Sequence, residues 1–344
     1  MADKGVRAGK LMPRGVATGI GSMPGLSIRE SLDMVTDLVP EFVYLPELPA
    51  RGPGGEMIGR TFGLLNSVDA SLGVETQPSG WRLTPGEGVV MRRAKSWLAE
   101  DIDALEEMLA GYEGWIKVAF VGPVTLASSV EFAYGERMVS DERAVRDLTQ
   151  ALIAGIEMKL AELRRRLPLA RWVVQIDEPW LGGALRGFVP RRSGFGYLRG
   201  FDLHHTIDFL GQVANAIDAA GAVAWLHTCE NEPPMVTLAK IPFDLVSIDV
   251  SKLDDRAIDA AGLMFDRERM IGVGMPAPKS VVSEKSVVDM RMGAMDRLSR
   301  RLSISTEELL NYVVVTPSCG LGYSENAAAE LRLAGLVVDS MRGN

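Results

Sequence analysis

Short runs of apolar residues alternate along this chain with longer stretches in which apolar residues recur every three or four positions. Eight runs have the length and the Val/Ile content of strands: 15–22 (GVATGIGS), 42–48 (FVYLPEL), 115–121 (WIKVAFV), 172–177 (WVVQID), 222–227 (AVAWLH), 245–250 (LVSIDV), 270–274 (MIGVG) and 312–316 (YVVVT). Several are apolar on consecutive positions, as expected of strands covered on both faces in a parallel sheet. The stretches between them predict helices over 27–39, 92–110, 141–167, 202–220, 253–264, 283–302 and 324–341, with a short proline-started turn at 234–239. Asp141 and Ser283 are good N-cap types, and Ser324 sits at the same kind of boundary. Eight strand-then-helix units without a long polar linker predict an α/β fold, a single closed (β/α)8 TIM barrel over 15–344 behind a flexible tail at 1–14. A doubly wound open sheet is the alternative.

The unit after the second strand breaks the pattern. Residues 51–90 carry many Gly and Pro (RGPGG, TQPSGW, LTPGEG) where a compact crossover is expected. Such an insertion reads as a lid or substrate wall over the barrel mouth, with a functionless surface excursion as the other reading.

Composition narrows the class. With 344 residues, 47% of them hydrophobic, the chain can bury a large core. A net charge of −8 without a basic cluster argues against nucleic acid and anionic membrane as partners. The start, MADKGVRAGKLMPRG, lacks the apolar core of a signal peptide, and no run approaches the roughly 18 apolar residues of a membrane span. Two cysteines make no disulfide framework. A soluble, cytoplasmic protein is expected.

Those two cysteines are the most informative residues. Cys229 ends AVAWLHTC as His227-x-Cys229, and Cys319 follows YVVVTPS ninety positions later. Alternate positions of a strand share a face, so His227 and Cys229 can grip one ion. Two thiolates and an imidazole suit Zn²⁺, and a catalytic zinc keeps a position for substrate. Each residue alone reads as readily as a buried hydrophobe or a hydrogen-bonded core histidine. A fourth protein ligand should be a carboxylate, with Asp249, at the end of LVSIDV, competing with Glu230 and Glu232.

Other strand ends also turn polar. In VVQIDEPW, Asp177 and Glu178 face opposite ways, so one can meet the pocket while the other ties down a loop. Asp177 suits a substrate ammonium group through charge-assisted hydrogen bonds, or else simply caps a helix. Glu47 in YLPELP invites the same two readings. GIGSMPG, before the helix expected near Ser27, offers backbone N–H groups suited to a carboxylate.

Taken together, GIGSMP (19–24), GPVTL (122–126), QIDEP (175–179), HTCENE (227–232), VSIDVSK (246–252) and SCGLG (318–322) resemble the catalytic C-terminal half of the cobalamin-independent methionine synthase family, in the family's order. The resemblance implies a (β/α)8 barrel whose zinc binds homocysteine sulfur and passes a methyl group to it. It implies zinc ligands His227, Cys229, Cys319 and the acid of the sixth strand, where Asp249 stands in place of the family's Glu. Ile20, Gly21 and Ser22 would contact the amino-acid carboxylate and Asp177 the amino group, with Glu47 the match to a further amino-acid-binding glutamate.

Two departures concern the methyl donor. The family packs a tryptophan on the folate after GPVT, where this chain has Ser129, and it carries a histidine after the seventh strand, where IGVGMPAPKS offers only Lys279 as a proton carrier. The folate-binding N-terminal half of the full-length enzyme has no counterpart in the matched segments. The expectation is a zinc-dependent methyltransferase to a small thiol, homocysteine by preference, in methionine biosynthesis, with methyl-folate or a methyl-corrinoid as donor. The alternatives are a metal-independent enzyme like uroporphyrinogen decarboxylase and a non-catalytic zinc- and thiol-binding relic.

Overall fold

A computed structural model of the protein describes residues 10–277 and 283–343. Eight strands make its central sheet: β1 (Val16–Ala17), β2 (Phe42–Tyr44), β3 (Trp115–Val121), β4 (Arg171–Asp177), β5 (Val223–His227), β6 (Leu245–Asp249), β7 (Met270–Met275) and β8 (Val313–Pro317). Each lies within or close to the run that predicts it. They follow one another in chain order around the sheet, β8 returns beside β1, and every pairing is parallel. The fold is a (β/α)8 barrel. Its one seam lies between β1 and β2, which share no ladder among the described residues. There the Thr18 hydroxyl donates to the Phe42 carbonyl at 2.7 Å, and an isolated parallel bridge joins Ser22 to Glu47 at the mouth.

The helices begin where local chemistry starts them. Asp141 accepts from the Arg143 N–H at the head of Glu142–Arg166, Asp202 from His204 and His205 at the head of Leu203–Ala219, and Ser283 from Ser286 at the head of Glu284–Leu302. Ser324 falls short of its helix, which opens at Ala327; its hydroxyl accepts from the Asn326 N–H instead. No helix among the described residues is long and apolar enough to cross a membrane. Of the expected flexible tail, residues 1–9 lie outside the described residues, while Lys10 is held by Asp218 at 2.8 Å and Asp244 at 2.6 Å.

The segment 51–90 differs from a plain loop. Despite its glycines it contains the helix Met57–Val68, packed against Val89–Met108 and Glu142–Arg166, and an antiparallel hairpin of Gly73–Gln77 and Gly80–Thr84. Trp81 and Arg82 of the hairpin pair with Val130 and Glu131, which follow the helix after β3. This fastens the hairpin to the C-terminal side of the barrel.

Inside the barrel, side chains stack in layers two residues apart along each strand. The lowest layer is an apolar plug of Val16, Phe42, Val173, Val223, Leu245, Met270 and Val314, with Trp225 on top of it. One layer up, Thr18, Lys117, Gln175, Ser247 and Thr316 are all wholly buried. Asp177, His227 and Asp249 form the layer above, at the C-terminal ends of β4, β5 and β6.

Candidate active site

β4 and β5 run in register so that Asp177 lies beside His227. Two residues beyond the end of β5 sits Cys229, and two beyond β8 sits Cys319. The ligand atoms of His227, Cys229 and Cys319 all lie within 4.8 Å of one another, the one such group of three metal-ligating side chains among the described residues. Both cysteines are free thiols. The Ser247 hydroxyl accepts from the Trp225 indole at 2.7 Å and lies 2.8 Å from His227 Nδ1. With its proton on Nδ1 toward Ser247, the imidazole turns a lone pair outward on Nε2, a buried atom with no hydrogen-bond partner. A buried imidazole nitrogen left bare beside two thiols fits a metal ion better than it fits a packed core. The Cys319 thiol is pushed down to about 4 by the hydrogen bond from Cys229 and by His227, while the same hydrogen bond and burial push Cys229 up. One proton shared between two sulfurs is one that a cation would displace.

Asp249 does not join this group. Strand alternation turns it inward, but its Oδ1 accepts from the Ser251 N–H at 2.8 Å and the Ser251 hydroxyl at 2.6 Å, capping the turn Val250–Lys252. Glu230 is tied to the Gly182 N–H at 2.6 Å and to Arg186, and Glu232 is exposed beside the same arginine. Lys279 lies outside the described residues. Ser129 ends the short helix Pro123–Ser129, where Arg137 holds the Ser128 carbonyl at 3.0 Å.

Around the cluster stand the groups expected to hold an amino acid. Asp177 accepts from Gln175 Nε2 at 2.8 Å; burial raises its pKa, with His227 and Lys117 opposing. Glu47 is buried, its Oε1 has no partner, and burial pushes its carboxyl up to about 8 against the pull of Arg60. The 20–22 turn is pinned on both sides. Glu47 N–H donates to the Gly21 carbonyl, and the Leu321 N–H donates to the Ser22 carbonyl. Gly322 N–H reaches the Ser22 hydroxyl at 3.1 Å. Gly320 suits this contact, because a Cβ there would come within 2.2 Å of that hydroxyl and make it turn away from Gly322. Glu178 points away from the pocket and holds the GPVT segment, accepting from the N–H groups of Val124 and Thr125 and from the Thr125 hydroxyl.

Sequence reasoning passed over the layer beneath: Lys117, Gln175, Trp225 and Ser247. The signal was present, since a lysine in the middle of WIKVAFV has to be buried if the run is a barrel strand.

Residues 105–340 match the family described as the catalytic domain of cobalamin-independent synthase. The chain belongs to this family. A B12-independent methionine synthase from Shewanella sp. W3-18-1, solved in complex with selenomethionine, shares the fold with a TM-score of 0.58 at 12% identity, over 96% of this chain and 98% of that one. More distant in shape are two glycoside hydrolases, GH5_18 from Streptomyces cattleya (TM-score 0.47, 14% identity, 96% of this chain and 81% of that one) and GH10 from Paenibacillus barcinonensis (0.44, 12%, 95% and 95%). No curated protein matches the chain in sequence. The family match makes this a methionine synthase-like protein, and the neighbour shows the same barrel fold.

Proposed function

We propose that the protein is a zinc-dependent methyltransferase that methylates a small amino-acid thiol, homocysteine by preference, to give methionine. The observation that carries this reading is the bare, buried Nε2 of His227 set beside Cys229 and Cys319. These three would hold the ion. Asp249 is the candidate fourth ligand, provided that its carboxylate exchanges Ser251 for the metal. Zinc, when bound, supplies a Lewis acid that keeps a substrate thiol deprotonated and nucleophilic at neutral pH.

The chain's own residues do the rest of the positioning. Asp177 and the unpartnered oxygen of Glu47 accept hydrogen bonds from the substrate ammonium group. The 20–22 turn receives the carboxylate. Ser247 fixes the ring of His227. The hairpin 73–84 forms a wall at the mouth, screening the sulfur from water while a methyl group arrives in line from a methyl-folate or methyl-corrinoid donor.

Protein purified without added metal should carry about one zinc per chain and form methionine from homocysteine with one of these donors. Zinc well below half an equivalent, with no methionine formed from either donor after zinc is restored, would reject the reading. Setting the charge of Glu47 also sets a pH dependence. Its carboxyl titrates near 8 and must ionise to pair with an ammonium group, so ligand binding below that pH expels a proton. Affinity of the zinc-loaded protein for methionine, which has no thiol to titrate, should rise by up to about tenfold per unit from pH 6 to 8 and then level off. Calorimetric titration across that range checks it. Glu47→Gln should flatten the rise.

A further inference from the structure

Lys117 lies at the centre of the barrel, with no exposed surface, one layer below the proposed substrate pocket. No carboxylate among the described residues touches it. Its ammonium group donates to the Gly19 carbonyl at 2.7 Å, to the Ile20 carbonyl at 2.5 Å and to Gln175 Oε1. Three donors meet three acceptors, and the Trp225 and Tyr44 rings, with centroids 4.7 and 5.5 Å from Nζ, cover it from other directions. Because Gln175 Oε1 faces the lysine, its amide can have only one orientation. Nε2 must point the other way, where it donates to the Ile20 carbonyl at 2.9 Å and to Asp177 Oδ1 at 2.8 Å.

Packing alone gives a poor account of this arrangement. Burying an ammonium group is costly, and an apolar side chain of the same volume would fill the space without that cost. What the lysine adds is a fixed link between two walls of the pocket, the 19–22 turn and the end of β4. Burial pushes its pKa down to about 7, with Asp177 and Glu47 pulling it back up, so below that pH it also sets a positive charge within electrostatic reach of both.

We propose that Lys117 is the positioning residue for the amino-acid end of the substrate: acting through Gln175 it sets Asp177 and the 20–22 turn at the spacing of an α-amino acid, and so makes the site select amino-acid thiols over simple thiols. This rests on the function proposed above.

The test uses the full-length protein loaded with cobalt in place of zinc, and follows thiolate binding by absorbance with homocysteine and with 2-mercaptoethanol. Lys117→Met should keep the metal and bind 2-mercaptoethanol as the parent does, while affinity for homocysteine falls about 10- to 100-fold, the worth of one or more charge-assisted hydrogen bonds. Gln175→Glu keeps the shape and gives Lys117 an ion-pair partner, but it removes the donor to Asp177. It should show the same selective loss and decides the matter if the lysine variant does not fold. Equal losses for both thiols, or none for either, overturn the inference. Parent protein that binds neither thiol defeats the underlying reading instead, and the inference with it, through the control rather than the variants.

Discussion

Replacing either cysteine, Cys229 or Cys319, with serine is expected to yield a folded protein that no longer holds the proposed zinc. Both residues lie outside the hydrophobic core, one half-buried and one exposed, in loops anchored by backbone hydrogen bonds that do not use the thiols. Folding therefore has little stake in the sulfur atoms. The metal has a large one, because a hydroxyl cannot replace a thiolate as a zinc ligand, and one imidazole and one thiolate make an incomplete site. Loss of an outer-shell partner alone costs such sites roughly 10- to 100-fold in affinity, so loss of a ligand should cost more than about 100-fold. Metal content per chain after dialysis, read beside the circular dichroism of the same samples, checks this. If both variants keep a full equivalent of zinc, the two sulfurs do not share an ion.

The second large effect falls on stability. Glu178 is wholly buried and accepts three hydrogen bonds from the GPVT segment, at 3.0, 2.8 and 2.6 Å. Thr125 carries the network one step further by accepting from the Trp180 N–H at 3.1 Å. Gly122 is part of the same fit, since a Cβ there would come within 2.2 Å of Glu178 Oε1. Glu178→Ala would leave two backbone N–H groups and a hydroxyl without their acceptor, at about 1–3 kcal/mol each, less what entering water restores. A loss of about 4 kcal/mol is expected, measured as a lowered urea midpoint with an unchanged slope. Glu178→Gln should lose about half as much, because its carbonyl oxygen can still accept while its NH2 faces a donor. A change within about 0.5 kcal/mol for the alanine variant would mean that the segment does not depend on this carboxylate.

Much of the barrel can be read from the order of residues alone. The run WIKVAFV is β3 from end to end, and β5 and β6 end at His227 and Asp249, so period and composition were enough where a strand is apolar on both faces. The segment 51–90 was harder. Gly59 and Gly63 inside Met57–Val68 look like loop residues, yet Gly63 sits against Ala94, where a Cβ would come within 2.8 Å. Gly63 allows close helix packing, while Gly59 makes room for the Gly54 backbone and the capping carboxylate of Glu56, neither of which local patterns reveal. Asp249 shows the reverse problem. Its place at the end of a strand made it a candidate ligand, but Asp-x-Ser is also a local turn signal, and in the structure that turn takes up its Oδ1. The polar layer around Lys117 stayed hidden because one charged residue in a run of seven barely alters the pattern that identifies a strand.

The seam between β1 and β2 has a consequence for the mechanics of the molecule. Elsewhere neighbouring staves are laced along their length, but here the wall is fastened chiefly near the rim, by Glu47 against Gly21 and Ser22. These are also the groups proposed above to clasp an amino acid. A guest spanning them acts as a rivet across the weakest join of the cylinder, so occupancy and resistance to opening there rise together.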